Sequence, residues 1–347
     1  MAFITTKKQL TNYLTLTEKE ELWFDENNDK LPFLVSEYYL SLVDPNNPND
    51  PIRKQIIPTS DEFVSFPSED KDPQLESSYS ILPRLIRRYK SRVALLVTDK
   101  CTTYCRHCFR RRFTSLDKNI ISDKEVHEVG SYLKENLEVK EILITGGDPL
   151  TLSDQNLLNI LKILYTYRND LVIRIGSRVA VTYPQRITPS LISSLKESGF
   201  KAIYVMSQFN HPTEVTSKAL RATDLFIDNG ILVLNQTVLL KGINDDVDTL
   251  EVLMNSLVSN RIKPYYLFQG DLVSGTNHFR VPLEKGLEIE KELRRRLSGL
   301  AMPLYAVDLP NGGGKVPIVH PYLKKVEDDN SLFENYEGSE FYYPDPQ

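Results

Sequence analysis

The sequence predicts an α/β fold, a mostly parallel sheet wound with helices that closes most of a barrel, and three features predict it. From residue 93 onward, short β-branched apolar runs alternate with amphipathic stretches, the rhythm of βα units. Helix-start signals stand between the runs. Cysteine, glycine and aspartate clusters come directly after the runs, at the carboxyl ends of strands, where parallel α/β folds gather their working residues.

In chain order, residues 1 to about 75 are polar and turn-rich, with Asn and Pro crowded into DPNNPNDP at 44–51. They predict a mainly helical extension, residues 1–85, without a strand series. The candidate strands are VALLVT (93–98), EILIT (141–145), VIRIG (172–176), AIYVM (202–206), ILVLNQTVLL (231–240) and YYLF (265–268). Ser122 and Glu125 form a capping-box pattern, followed by Val126, Val129, Leu133 and Leu137 on one helical face. Thr188 before Pro189 marks another helix start, because proline at the first helical position loses no hydrogen bond. Six βα units in residues 86–300 would close most of a barrel. A seventh run, MPLYAVDL (302–309), opens a C-terminal segment, 301–347, and leads into Asn311-Gly312-Gly313-Gly314-Lys315. The last 20 residues, rich in Asp, Glu and Tyr, are expected to form an irregular surface tail.

A chain of 347 residues with 41% hydrophobic and 26% charged residues can bury a sizeable core. Its net charge of -5 argues against a generic polyanion binder, so no nucleic-acid partner is expected. Arg106, Arg110, Arg111 and Arg112 nevertheless form a basic knot beside the cysteines. The opening MAFITTKKQL has no long apolar stretch and eighteen apolar residues nowhere run together, so a cytoplasmic chain without a membrane span is expected. The 3 cysteines, Cys101, Cys105 and Cys108, stand too close together for a disulfide framework and suit one shared ligand.

Three thiolates spaced C-x3-C-x2-C directly after a strand can hold three corners of a cubane cluster and leave the fourth iron open. Closed structural zinc instead wants four ligands, commonly in two separated pairs. The segment CTTYCRHCFRRRF resembles the cluster loop of the radical S-adenosylmethionine (SAM) superfamily, and specifically that of the lysine 2,3-aminomutase family. The resemblance implies a partial (β/α)6 TIM-like barrel of the radical SAM type, with an N-terminal helical extension and a C-terminal segment carrying a pyridoxal phosphate (PLP) lysine. It implies a [4Fe-4S] cluster on Cys101, Cys105 and Cys108, with SAM on the open iron and Gly146-Gly147-Asp148 as the turn that approaches it.

Lys315 follows three glycines, which let the backbone fold close to a cofactor; the pattern lacks the outer glycine and the Ser or Thr of a P-loop, and a plain turn is the other reading. DLPNGGGKVP is similar to the family segment whose lysine bonds PLP. By the same resemblance Arg88, Tyr89, Arg92, His107 and Gln236 contact cofactors, Arg110 pairs with the substrate carboxylate, and Asp271 and Asp308 receive the ε-ammonium of lysine. Two converging carboxylates repel unless a cation lies between them, so a distal ammonium is the natural guest. The implied activity is an isomerase that moves the amino group of L-lysine to give β-lysine, served by an electron donor such as ferredoxin or flavodoxin, in a homo-oligomer. Two alternatives are an elongation factor P-associated lysine aminomutase and a non-catalytic zinc-binding regulator. Phe268 and Gln208 depart from the family pattern, which has tyrosine and histidine there.

Overall fold

The computed structural model describes residues 2–26, 31–114, 120–326 and 330–344. The N-terminal region pairs strands β1 (Phe3–Ile4) and β2 (Val35–Ser36) and adds short helices α1 (Lys7–Leu10), α2 (Glu18–Glu26), α3 (Glu37–Leu40) and α4 (Pro51–Ile56). Asp50 caps α4 with Pro51 at its first position, and Ser36 caps α3. This region is not a separate body: Leu10, Trp23, Tyr39 and Ile52 share one continuous hydrophobic cluster with the barrel residues Leu95, Ile144 and Val205. Its buried Arg53 guanidinium is forked onto Glu20 at 2.6 Å and 2.8 Å.

Among the described residues, the central sheet has ten strands. Strands β3 (Ser80–Leu82) and β4 (Leu85–Tyr89) lead antiparallel into β5 (Arg92–Thr98). From β5 the order runs in parallel through β6 (Glu141–Gly146), β7 (Val172–Gly176), β8 (Ile203–Ser207), β9 (Leu232–Leu239), β10 (Lys263–Gln269) and β11 (Leu304–Leu309). Strand β12 (Gly314–Pro317) then returns antiparallel to β11. All seven apolar runs named from the sequence are strands, and Arg88 and Tyr89, just ahead of the first of them, end a further strand, β4.

The crossovers carry α5 (Asp123–Glu135), α6 (Asp154–Tyr167), α7 (Val179–Thr182), α8 (Pro189–Glu197), α9 (Ser217–Ile227), α10 (Val247–Ser259) and α11 (Leu283–Arg296). The Ser122/Glu125 capping box and the Thr188 cap ahead of Pro189 both form. Leu137 is a correction: α5 stops at Glu135, so Leu137 leaves the helical face and is 61% exposed. The last residues are a second correction. In place of an irregular tail, β13 (Leu323–Val326), β14 (Asn330–Glu334) and β15 (Glu340–Pro344) make a three-stranded antiparallel sheet. Tyr342 and Tyr343 project from it into solvent, which is why composition alone read as a surface tail.

Backbone pairing does not close the barrel, because β3 and β12 are the two edges of the ten-stranded sheet. Side chains bridge the gap. Arg88 Nη2 on β4 donates to Asp308 Oδ1 on β11 at 2.5 Å, and the Lys315 amide on β12 donates to the Tyr89 hydroxyl at 3.0 Å. The opening in the sheet is therefore lined with functional groups.

Candidate active site

One cavity of about 460 Å³ lies at the carboxyl ends of the strands, and every site residue named from the sequence lines it. That places Cys101, Cys105, Cys108, Gly146, Gly147, Asp148, His107, Arg88, Tyr89, Arg92, Arg110, Gln236, Asp271, Asp308 and Lys315 around one chamber. Its volume falls in the usual range for cofactor and ligand sites, roughly 300–1,000 Å³.

The cysteine wall is held from below by the N-terminal region. The Leu34 and Gln55 carbonyls accept from the amides of Tyr104 and Arg106, at 2.9 Å in each case. The Arg106 side chain is fully buried, forked onto Glu62 at 2.7 Å through both bonds, and donates to the carbonyls of Leu31 and Pro32. Glu62 also takes Arg111. The basic knot seen in the sequence is thus a set of clamps: Arg106 and Arg111 on Glu62, and Arg110 and Arg112 on Glu76.

The glycine turn has a structural cause. Gly146 has φ +124°, and a Cβ there would lie 2.3 Å from the Thr98 carbonyl oxygen; one on Gly147 would lie 2.3 Å from that of Lys100. Gly147 and Asp148 donate their amides to those same two carbonyls. The glycines let the turn press against the start of the cysteine loop. Asp148 accepts from the Leu150 and Arg178 amides and the Ser177 hydroxyl, so its carboxylate ties the turn after β6 to that after β7. Burial raises its pKa to about 6.

The lysine wall is organised by register. Asp308 and Lys315 are direct cross-strand partners, and the Lys315 ammonium reaches Asp308 Oδ2 at 3.0 Å. It also lies 4.0 Å from the centre of the Phe268 ring, which stacks on Tyr266. The ammonium is thus paired in the structure, not free. Asn311 and Gly312 both have positive φ and form the turn of a β-hairpin, while Lys315 itself sits on β12. Arg92 covers the Tyr89 ring at 3.7 Å.

Asp271, in the loop after β10, accepts from Gln74 at 2.9 Å. Burial pushes its carboxyl up to about 6, and the nearby charge of Asp308 adds to the rise. Arg110 is oriented by Glu76, which takes Nε and Nη2, and by Thr145. His107 hydrogen-bonds Gln208, and burial pushes its ring well below the usual histidine range. Gln236 lines the same wall.

Sequence reasoning missed Gln74, Glu76 and Arg178. The first two belong to a polar stretch without periodicity, and the one signal for Arg178 is its place after β7.

A partial barrel whose first strand-to-helix loop presents three thiols beside a glycine turn is the architecture of a radical SAM enzyme, and residues 95–253 match the radical SAM superfamily. Residues 289–347 match the model described as lysine-2,3-aminomutase. The chain is 42% identical over 343 residues to the L-lysine 2,3-aminomutase of Acetoanaerobium sticklandii, covering 99% of this chain and 82% of that protein. It is 40% identical over 343 residues to the L-lysine 2,3-aminomutase of Clostridium subterminale, with the same coverage, 99% and 82%. The glutamate 2,3-aminomutase of Clostridioides difficile is 39% identical over 335 residues, 96% of this chain and 79% of that protein. The chain belongs to the lysine 2,3-aminomutase family, isomerases of the radical SAM superfamily.

The residues fit that family's cofactors, a [4Fe-4S] cluster, SAM and PLP. Burial raises the Cys108 thiol to about 11 and the Cys101 thiol well above its ordinary value, and the charges of the neighbouring cysteines add to both. Three thiolates this close need a cationic core between them. Among the described residues, no three His, Cys, Asp or Glu side chains converge on one ion-sized point. On the opposite wall, the buried Arg88 Nη1 is a donor without a partner among the described residues, fitted to an anionic group such as a phosphate. Among the described residues, no helix is long and apolar enough to cross a membrane.

Proposed function

We propose that this enzyme converts L-lysine to β-lysine by 2,3-amino migration, with PLP carried on Lys315 and its phosphate beside Arg88, Tyr89 and Arg92. Bound in this chamber, the cluster and SAM supply a one-electron route to a carbon radical, and PLP supplies a conjugated carbonyl for the migrating amine. The protein supplies position. Arg110, fixed along one edge by Glu76, turns its remaining N–H groups toward the substrate carboxylate. Asp271 and Asp308 stand ready for the distal ammonium.

That pair carries the choice of lysine over glutamate. Identities of 42% to a lysine enzyme and 39% to a glutamate enzyme do not separate the two substrates, and the charge of the site is what supports lysine. A glutamate side chain would bring a third carboxylate against Asp271 and Asp308, and an uncompensated buried charge costs several kcal/mol. Asp308 already receives a primary ammonium, that of Lys315, which is the headgroup the substrate would offer.

We further propose ferredoxin or flavodoxin as the electron source and a homo-oligomeric assembly. Anaerobic incubation with SAM, PLP, dithionite and either L-lysine or L-glutamate, followed by amino-acid analysis, tests the assignment. β-Lysine is the expected product. Preferential formation of β-glutamate would overturn the substrate, and SAM cleavage without either β-amino acid would overturn the aminomutase reading.

A further inference from the structure

Arg178, in the turn after β7, is 7% exposed and ends against a cysteine. Its Nη1 donates to Cys105 Sγ at 2.8 Å. Its Nη2 points the other way, into a buried polar cluster built mostly from the N-terminal region: the Tyr39 hydroxyl at 2.9 Å, Gln55 Oε1 at 2.6 Å and Glu214 Oε1 at 2.8 Å. Glu214 is fully buried and is itself held by Tyr39, Gln55 and the Asn210 amide. The Arg178 amide adds a bond to Asp148, so main chain and side chain are both fixed.

A buried ion pair between Arg178 and Glu214 would need only the Nη2 edge of the guanidinium. The opposite edge is turned to sulfur, and every other group in the cluster holds it there. Donation to a thiolate sulfur draws electron density from the attached iron and stabilises the reduced cluster, which carries one more negative charge, more than the oxidised one.

We infer that Arg178 is a positioning residue that sets the reduction potential of the cluster through its hydrogen bond to Cys105, and that Tyr39, Gln55 and Glu214 exist to aim it. The inference rests on the family reading of the three cysteines and adds to it a task for the N-terminal region, which otherwise serves as a floor. The step concerned is the transfer of one electron from a reductant to the oxidised cluster, with no bond made or broken in the protein.

The test uses the full chain, reconstituted anaerobically with iron and sulfide, without SAM, and titrated with dithionite under electron paramagnetic resonance (EPR). At the wild-type midpoint, Arg178→Gln should lower the reduced-to-oxidised ratio at least about tenfold, which for a one-electron couple is a shift of about 59 mV to lower potential. Arg178→Lys, which keeps the charge but loses the fork, should shift it less in the same direction. A second measurement needs no variant to fold: wild-type protein labelled with ¹⁵N-arginine should show a ¹⁵N hyperfine coupling to the reduced cluster. A wild-type chain that forms no EPR-active cluster would overturn the family reading, and this inference with it. A wild type that titrates normally, with no ¹⁵N coupling and an unchanged midpoint in both variants at full iron content, would overturn this inference alone.

Discussion

The two walls of the chamber are built on opposite principles. The cysteine wall is one contiguous loop, clamped by buried ion pairs, Arg106 with Glu62 and Arg178 with Glu214. The lysine wall is assembled across the open seam of the sheet from β4, β11 and β12, and its ion pairs join groups that are themselves candidates to bind ligands, Arg88 with Asp308 and Asp308 with Lys315. A metal cluster needs ligands that stay put, whereas a cofactor and a substrate that react need partners that can be exchanged. Rigidity on one side and exchangeable charge on the other follow from that division.

The largest effects should come from breaking either wall outright. Cys105→Ala removes one of the three cysteines proposed to hold the cluster and should abolish both the cluster's visible absorbance and product formation. Lys315→Ala should abolish product while leaving cluster absorbance and iron content intact, which separates the walls cleanly. Loss of the cluster in Lys315→Ala would show that they are not independent.

Asp271→Asn sharpens the comparison on the lysine side. Removing one of two carboxylates from the distal ammonium should lower kcat/KM for lysine about 100-fold, close to 3 kcal/mol of transition-state binding. Glu76→Gln should do less, raising KM about tenfold, because Arg110 keeps its Thr145 bond but loses the partner that orients its edge.

The smallest effect is on pH dependence. With the Asp271 carboxyl raised to about 6, lowering the pH through that value protonates it and removes a partner for the ammonium, so kcat/KM for lysine should fall below pH about 6. Asp271→Asn should flatten that limb. The same shift acts oppositely on stability: between the ordinary carboxylate range and about 6 the folded chain holds a proton that the unfolded chain has lost, so this group favours the fold more as pH falls.

The contrast also explains what could be read in advance. The three cysteines stood out because their spacing is local, and the strands because buried parallel strands are continuous apolar runs. Asp271 and Asp308 were paired only by resemblance, since their convergence depends on two neighbouring strands and a loop, which no spacing rule encodes. Glu76, Gln74 and Arg178 were invisible for the same reason: each acts through a partner far away in sequence. The C-terminal sheet escaped because its strands β13 and β15 are exposed throughout, so no buried period marked them.

The central claim is that chemistry begun at the three sulfurs reaches a substrate held at Lys315. Incubating the reconstituted enzyme with L-lysine deuterated at C3 and recovering the SAM tests this most directly. Deuterium should accumulate at the 5′ carbon of SAM in the wild type and be missing with Lys315→Ala. Cleavage of SAM with no deuterium in either its 5′ carbon or 5′-deoxyadenosine would contradict it.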